Sequence, residues 1–345
     1  MGGQSTPLID DAARTRAAST ELPLLRLQAL TRLPPLVFGL LCGIPVFLIT
    51  LLPIALMYPG EAAIRELIAS ALFFGSSIGI IGGCSAPVFR GACEDLKNLE
   101  QVIGLPAEDL AVISQALTRG TPRGIALATV LGAVAGFLHS GLLGAYGLSL
   151  PYALAQTFAV VLLWVMMNWT VPFLIRNALT FASLGRTATP DLLRPSRQAG
   201  FGAAALRPAL FISAVLCAYP LLLLGDEHAL ENATLIGVAA SMSALPLIIA
   251  SPLRGIRRRI RERRAVVLAE LDQRLDKIIG GDIAHASADD LFELDAVLDM
   301  RERVARVPAW PLDLAGVKRI LLYVVLPPLT WAAAAFVEML IDSAI

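Results

Sequence analysis

Residues 152–175 read YALAQTFAVVLLWVMMNWTVPFLI, a run without Asp, Glu, Lys or Arg that ends at Arg176. An α-helix rising about 1.5 Å per residue needs about 20 residues to cross roughly 30 Å of hydrocarbon, so this run is long enough to span a bilayer. Backbone polar groups in lipid must satisfy one another, which leaves a helix or a closed barrel. A continuous apolar run lacks the alternation of a barrel strand, so helix is the reading.

Outward from this segment, comparable runs occur at 34–57, 66–89, 124–147, 207–225, 232–252 and 318–341. The second is diluted by Ser70, Ser76, Ser77 and Ser85 and has Glu66 at its mouth, and the fifth and sixth would also suit a re-entrant pair. Composition agrees with a membrane protein: of 345 residues, 56% are hydrophobic and only 16% charged, against about 25% charged in soluble domains. Disordered chains, collagen-like fibres and disulfide-stapled secreted modules are excluded, and a soluble enzyme is disfavoured.

The 28 Lys and Arg balance the 28 Asp and Glu in number but not in place. With the N-terminus inside, the cytoplasmic stretches hold Arg14, Arg16, Arg26 and Arg32, then Arg90, Lys97, Arg119 and Arg123, then Arg176, Arg186, Arg194, Arg197 and Arg207, then a dense group from Arg254 to Arg319. Only Arg65 falls outside, a bias that the positive-inside rule reads as orientation. The expected fold class is therefore all-α: a polytopic transmembrane bundle of about seven spans, N-terminus in and C-terminus out. Its parts are a cytoplasmic N-terminal segment 1–33, a six-span bundle 34–252 with cytoplasmic loops 90–123 and 176–206, a cytoplasmic helical hairpin 253–317, and a seventh helix with a short outer tail, 318–345.

The hairpin follows from helical spacing. Ile256, Ile260, Val267, Leu271, Leu275 and Ile278 recur at steps of three, four or seven, Gly280-Gly281 stops that arm, and Ser287 with Asp289 and Asp290 opens a second. The result is an antiparallel pair, coiled-coil-like as a spacer or active as a gate or oligomer contact. Arg254, Arg257, Arg258, Arg259, Arg261, Arg263 and Arg264 crowd its first arm. They suit anionic lipid head groups at the cytoplasmic face, or serve only to fix orientation. Nucleic acid is not an expected partner, because no aromatic residue interleaves the arginines. Homo-oligomerisation is left open.

Two helices carry small residues at every fourth position: Gly75, Gly79 and Gly83, then Gly132, Gly136, Ser140 and Gly144. Such stripes let another backbone approach closely. Gly39 and Gly43, with Pro45 and Pro53, mark the first span as a kinked helix packed against neighbours. Intramembrane polar groups are the default functional candidates, since each is expensive to desolvate; here they are His139, Gln156, Asn168 and Glu338. No carboxylate or basic partner stands at the midplane, which weakens proton- and sodium-coupled transport. Trp164, Trp169, Trp310 and Trp331, with Tyr58, Tyr146, Tyr152 and Tyr323, fall mostly near span ends, as an interfacial belt does.

No Gly-rich phosphate loop, His-Glu-x-x-His or Gly-x-Ser-x-Gly occurs, and Cys42, Cys84, Cys93 and Cys217 lack the paired spacing of a zinc site. No enzyme activity, cofactor or metal is expected. Proline-broken spans around sparse polar groups favour a channel- or transporter-like protein. The alternative is a non-transporting scaffold or sensor whose basic hairpin binds anionic lipid or a protein partner. A bacterial inner membrane suits the Ala, Leu and Arg usage.

Overall fold

The computed structural model describes residues 19–57, 61–142, 150–224, 232–279, 288–311 and 314–344. These are almost wholly helical: α1 Pro23–Thr31, α2 Pro35–Met57, α3 Glu61–Asn98, α4 Glu100–Ile103, α5 Ala107–Thr118, α6 Pro122–Leu142, α7 Leu150–Thr187, α8 Ala199–Leu216, α9 Asn232–Ile279, α10 Ala288–Arg306 and α11 Leu314–Ala344. Short 3-10 turns, Pro195–Gln198 and Tyr219–Leu224, border α8. One antiparallel pairing joins β1 (Thr20–Glu21) to β2 (Arg119–Gly120) and ties the start of the described chain to the entrance of α6.

Among the described residues, five helical segments are long and apolar enough to cross a membrane: Pro35–Pro53, Ile68–Asn98, Pro122–Gly141, Leu150–Thr187 and Pro195–Leu222. The remaining expected runs, 232–252 and 318–341, fall on α9 and α11, where many side chains lie outside the described residues.

The helices do not stop where the apolar runs stop. α3 continues through Arg90 to Asn98, and α7 continues through Arg176 to Thr187. A change from apolar to charged residues alters the medium that a helix face suits, while the backbone ladder goes on unless something breaks it. At 38 residues each, α3 and α7 reach roughly 57 Å, and the 48 residues of α9 reach roughly 72 Å. Each is about twice a hydrocarbon thickness or more, so a second layer is built from helices that also belong to the first.

Two apolar cores result. One joins Val46 of α2, Phe73, Phe74, Ile78, Ile81 and Phe89 of α3, Ala159, Val160 and Leu163 of α7 and Phe211 of α8. The other joins Leu96 of α3, Leu99 between α3 and α4, Ile113 and Leu117 of α5, Phe181 and Leu184 of α7, Phe201 of α8, Ile256, Ile260 and Leu271 of α9 and Val304 of α10. The stretches 90–123, 176–206 and 253–317 thus share one interior. Around the first core the outward residues are apolar too: Leu40, Leu41, Ile44 and Leu48 on α2, and Leu127, Leu131, Val134 and Leu138 on α6, are exposed. So large an apolar surface suits hydrocarbon, not water.

The glycine stripes form close seams. A Cβ on Gly39 would lie 2.7 Å from the Gly79 carbonyl oxygen, one on Gly43 would overlap the Gly75 carbonyl oxygen, and Gly83 faces Pro35 and Gly39. Contacts run in opposite residue order, so α2 and α3 are antiparallel. Gly132 and Gly136 of α6 meet Val165 and Val161 of α7 in the same manner, with a Cβ 2.7 and 2.6 Å from their Cα atoms. A further close seam, Gly185 of α7 against Gly255 and Ile256 of α9, lies outside any glycine repeat. Gly144 lies outside the described residues.

Candidate functional site

Two of the polar residues expected inside the membrane, His139 and Asn168, meet at Trp164. His139, half-buried on α6, sets its ring 5.7 Å from that of Trp164 on α7. Asn168 donates from Nδ2 to the Trp164 carbonyl at 3.0 Å, one turn back on its own helix. Gln156 is buried on α7 and its Oε1 has no hydrogen-bond partner. The Glu338 side chain on α11 falls outside the described residues. Trp169 donates from Nε1 to Thr129 Oγ1 at 2.8 Å and locks α7 to α6. Among the described residues no group of three His, Cys, Asp or Glu could hold a metal ion.

The arginines of α9 divide by what they touch. The Arg257 guanidinium lies 4.0 Å above the centre of the Trp310 ring, and Arg264 donates to the Val307 carbonyl at 3.0 Å. Together they strap the segment after α10 onto α9, the first through a cation–π contact of about 0.5–2 kcal/mol. Arg258 donates from Nε to Glu262 at 2.7 Å and Arg259 from Nη1 at 3.3 Å. The hydrogen bond from Arg258, then that from Arg259, holds the Glu262 carboxyl below its ordinary range. Arg254, Arg261 and Arg263 are exposed and make no ion pair among the described residues. Spacings of four and three put Arg254, Arg258 and Arg261 on one helix face. α10 packs beside α9 with Arg301 on Asp272 at 2.6 Å and Val307 on Arg264, residue numbers again running oppositely.

Other fasteners join segments far apart in sequence. Arg207 of α8 grips the buried Asp95 of α3 bidentately, Nε to Oδ2 at 2.9 Å and Nη2 to Oδ1 at 3.2 Å. The guanidinium lies over Gly91, where a Cβ would overlap it. Arg176, stacked 4.2 Å from the Phe173 ring, donates to the carbonyls of Ala116 and Arg119, while Asn177 Nδ2 donates to Leu117 at 3.2 Å. These close the open C-terminal end of α5, where unpaired carbonyls and the helix dipole both favour a cation. Ser213 of α8 donates to the Tyr323 carbonyl of α11 at 2.7 Å. Pro327, having no N–H, cannot supply the bond that Tyr323 would receive in an unbroken helix, so the serine replaces it.

Of these groups the sequence marks only the arginines at the ends of apolar runs; Asp95, Asn177 and Ser213 stand in no motif that names their partners. The arrangement defines a class, an α-helical bundle with several helices suited to crossing a membrane. Neither family models nor curated proteins nor solved structures match the chain.

Proposed function

We propose that the chain is a seven-span protein of a bacterial inner membrane, N-terminus inside and C-terminus outside, with α9 and α10 forming a cytoplasmic hairpin. Its role is that of a non-transporting scaffold that engages anionic lipid through the exposed Arg254–Arg258–Arg261 face of α9. The observation that carries this reading is the division of labour among the arginines. Arg257 and Arg264 are occupied inside the fold, Arg257 against Trp310, while the Arg254–Arg258–Arg261 face is exposed. Each basic residue at an anionic surface contributes about 1 kcal/mol.

Conduction has less support. His139 and Asn168 are both taken up by Trp164, one by its ring and one by its carbonyl, and Gln156 is buried with Oε1 unpartnered; what favours a moving bundle is prolines inside the helices, Pro45, Pro53, Pro87, Pro172, Pro208, Pro246 and Pro252.

The test is lipid exchange on the full chain in zwitterionic micelles, with bound phosphatidylglycerol and phosphatidylcholine counted by native mass spectrometry. Wild type is expected to retain phosphatidylglycerol preferentially, and R254Q/R258Q/R261Q to lose that preference. Glu262→Gln releases Arg258 and Arg259 and is expected to strengthen it. Because the Glu262 pKa is depressed, its carboxylate persists until pH falls through that lowered value, and only below it does wild type resemble the glutamine variant. Equal retention of both lipids by wild type, or an unchanged preference in the triple variant, overturns the proposal. Solute flux through reconstituted vesicles would restore the conducting alternative.

A further inference from the structure

Where α3, α7 and α8 meet, a narrow crevice is lined by Val88, Asn177, Phe181, Ala204, Arg207 and Pro208, with room for about one water molecule. Its walls are mostly apolar, but three polar groups are left over. Asn177 is 5% exposed and donates from Nδ2 to the Leu117 carbonyl. That carbonyl can only accept, so the orientation of the amide is fixed, and Asn177 Oδ1 is buried without a partner. Pro208 stands inside α8 and has no N–H, which deprives the Ala204 carbonyl, one turn back, of its helical donor. Arg207 spends Nε and Nη2 on Asp95, leaving Nη1.

We infer that this crevice is a binding site for a single structural water, which donates to Asn177 Oδ1 and the Ala204 carbonyl and accepts from Arg207 Nη1. The chemistry selects the ligand. With the Arg207 charge balanced by Asp95, an ion of either sign meets a mismatched partner, a cation the Nη1 donor and an anion the two oxygen acceptors. A neutral molecule with two donors and one acceptor satisfies all three groups, and the space admits nothing much larger than water. The bound water joins α7 to α8 at the turn where proline has opened the helical ladder, beside the ion pair that joins α8 to α3. A buried polar atom that meets water in this way escapes the penalty of an unmade hydrogen bond.

X-ray radiolytic labelling of the full chain in micelles reads such a water directly, because hydroxyl radicals formed on it modify adjacent side chains that bulk solvent does not reach. Phe181 lines the crevice and Phe38 of α2 does not, and each is 1% exposed. Labelling of Phe181 is expected to exceed that of Phe38 severalfold in wild type and to fall to its level in Asn177→Leu, where the leucine occupies the water's place. Asn177→Ser, which keeps an oxygen acceptor and enlarges the space, is expected to retain the labelling. Equal, slow labelling of the two phenylalanines in wild type overturns the inference without recourse to any variant. So does undiminished labelling in a folded Asn177→Leu protein.

Discussion

The Asp95–Arg207 pair makes an unequal demand on its two members, and the inequality can be measured. The Asp95 side chain is 3% exposed and that of Arg207 is 37% exposed, with Glu94 a further 3.9 Å contact for the guanidinium. Replacing Arg207 by leucine leaves a carboxylate buried without a cation. Removing one partner of a buried pair destabilises by about 3–5 kcal/mol, and the lower end applies because Arg207 already touches solvent. Replacing Asp95 by leucine leaves a guanidinium that can turn toward water and Glu94, a loss of about 1 kcal/mol or less. With both replaced, an apolar contact stands where the ions were, and such exchanges are often neutral or stabilising. The double variant is therefore expected within about 1 kcal/mol of wild type, giving a coupling energy of about 3 kcal/mol. Detergent-induced unfolding of the four proteins, followed by circular dichroism in mixed micelles, completes the cycle. Asp95→Leu losing as much stability as Arg207→Leu, or the double variant losing the sum of the two, refutes the reasoning.

In the α2–α3 seam, Gly43→Ala sets a methyl group against the Gly75 carbonyl oxygen, which as backbone cannot move aside cheaply, whereas Gly79→Ala meets the Gly39 oxygen at 3.2 Å. Overpacking of about 1–3 kcal/mol in the first case should outweigh the helix-propensity gain of about 1 kcal/mol, so Gly43→Ala should melt below Gly79→Ala; the reverse order in thermal scans removes the argument. Ser213→Ala strands the Tyr323 carbonyl beside Pro327 and should destabilise by about 1–3 kcal/mol. Adding Pro327→Ala restores the helical donor and should recover most of that loss; no recovery in unfolding titrations contradicts the repair role of the serine.

What could be read from the sequence is what is local. A run such as 152–175 declares its solvent by composition, and the repeat Gly75, Gly79, Gly83 declares a smooth helix face by spacing alone. Neither names a partner. The seam needs Gly39 and Gly43 on α2, whose glycines also fit a kinked helix, and Asp95 finds Arg207 across 112 positions. The ends of α3 and α7 lie beyond the apolar runs for a related reason. Hydropathy reports where an apolar environment ends, and a helix that leaves one core for another carries its hydrogen bonds across the boundary unchanged. Pro172, which reads as an interruption of the 152–175 run, sits within a helix that continues past it.

The arginines at the junction of the two cores carry two kinds of information at once. As charges, Arg90, Arg176 and Arg207 contribute to the asymmetry from which an orientation is inferred, and any cation would serve. As donors, they reach a carbonyl of Leu25, two carbonyls at the end of α5, and both oxygens of Asp95. Those contacts need several N–H groups fixed in one plane at the end of a long side chain, which a lysine ammonium does not provide. Arginine supplies 25 of the 28 cationic residues in the chain, and only Lys97, Lys277 and Lys318 are lysines. Orientation alone gives no reason for that preference. The need to fasten helix ends and the buried Asp95 carboxylate where one apolar core passes into the other does.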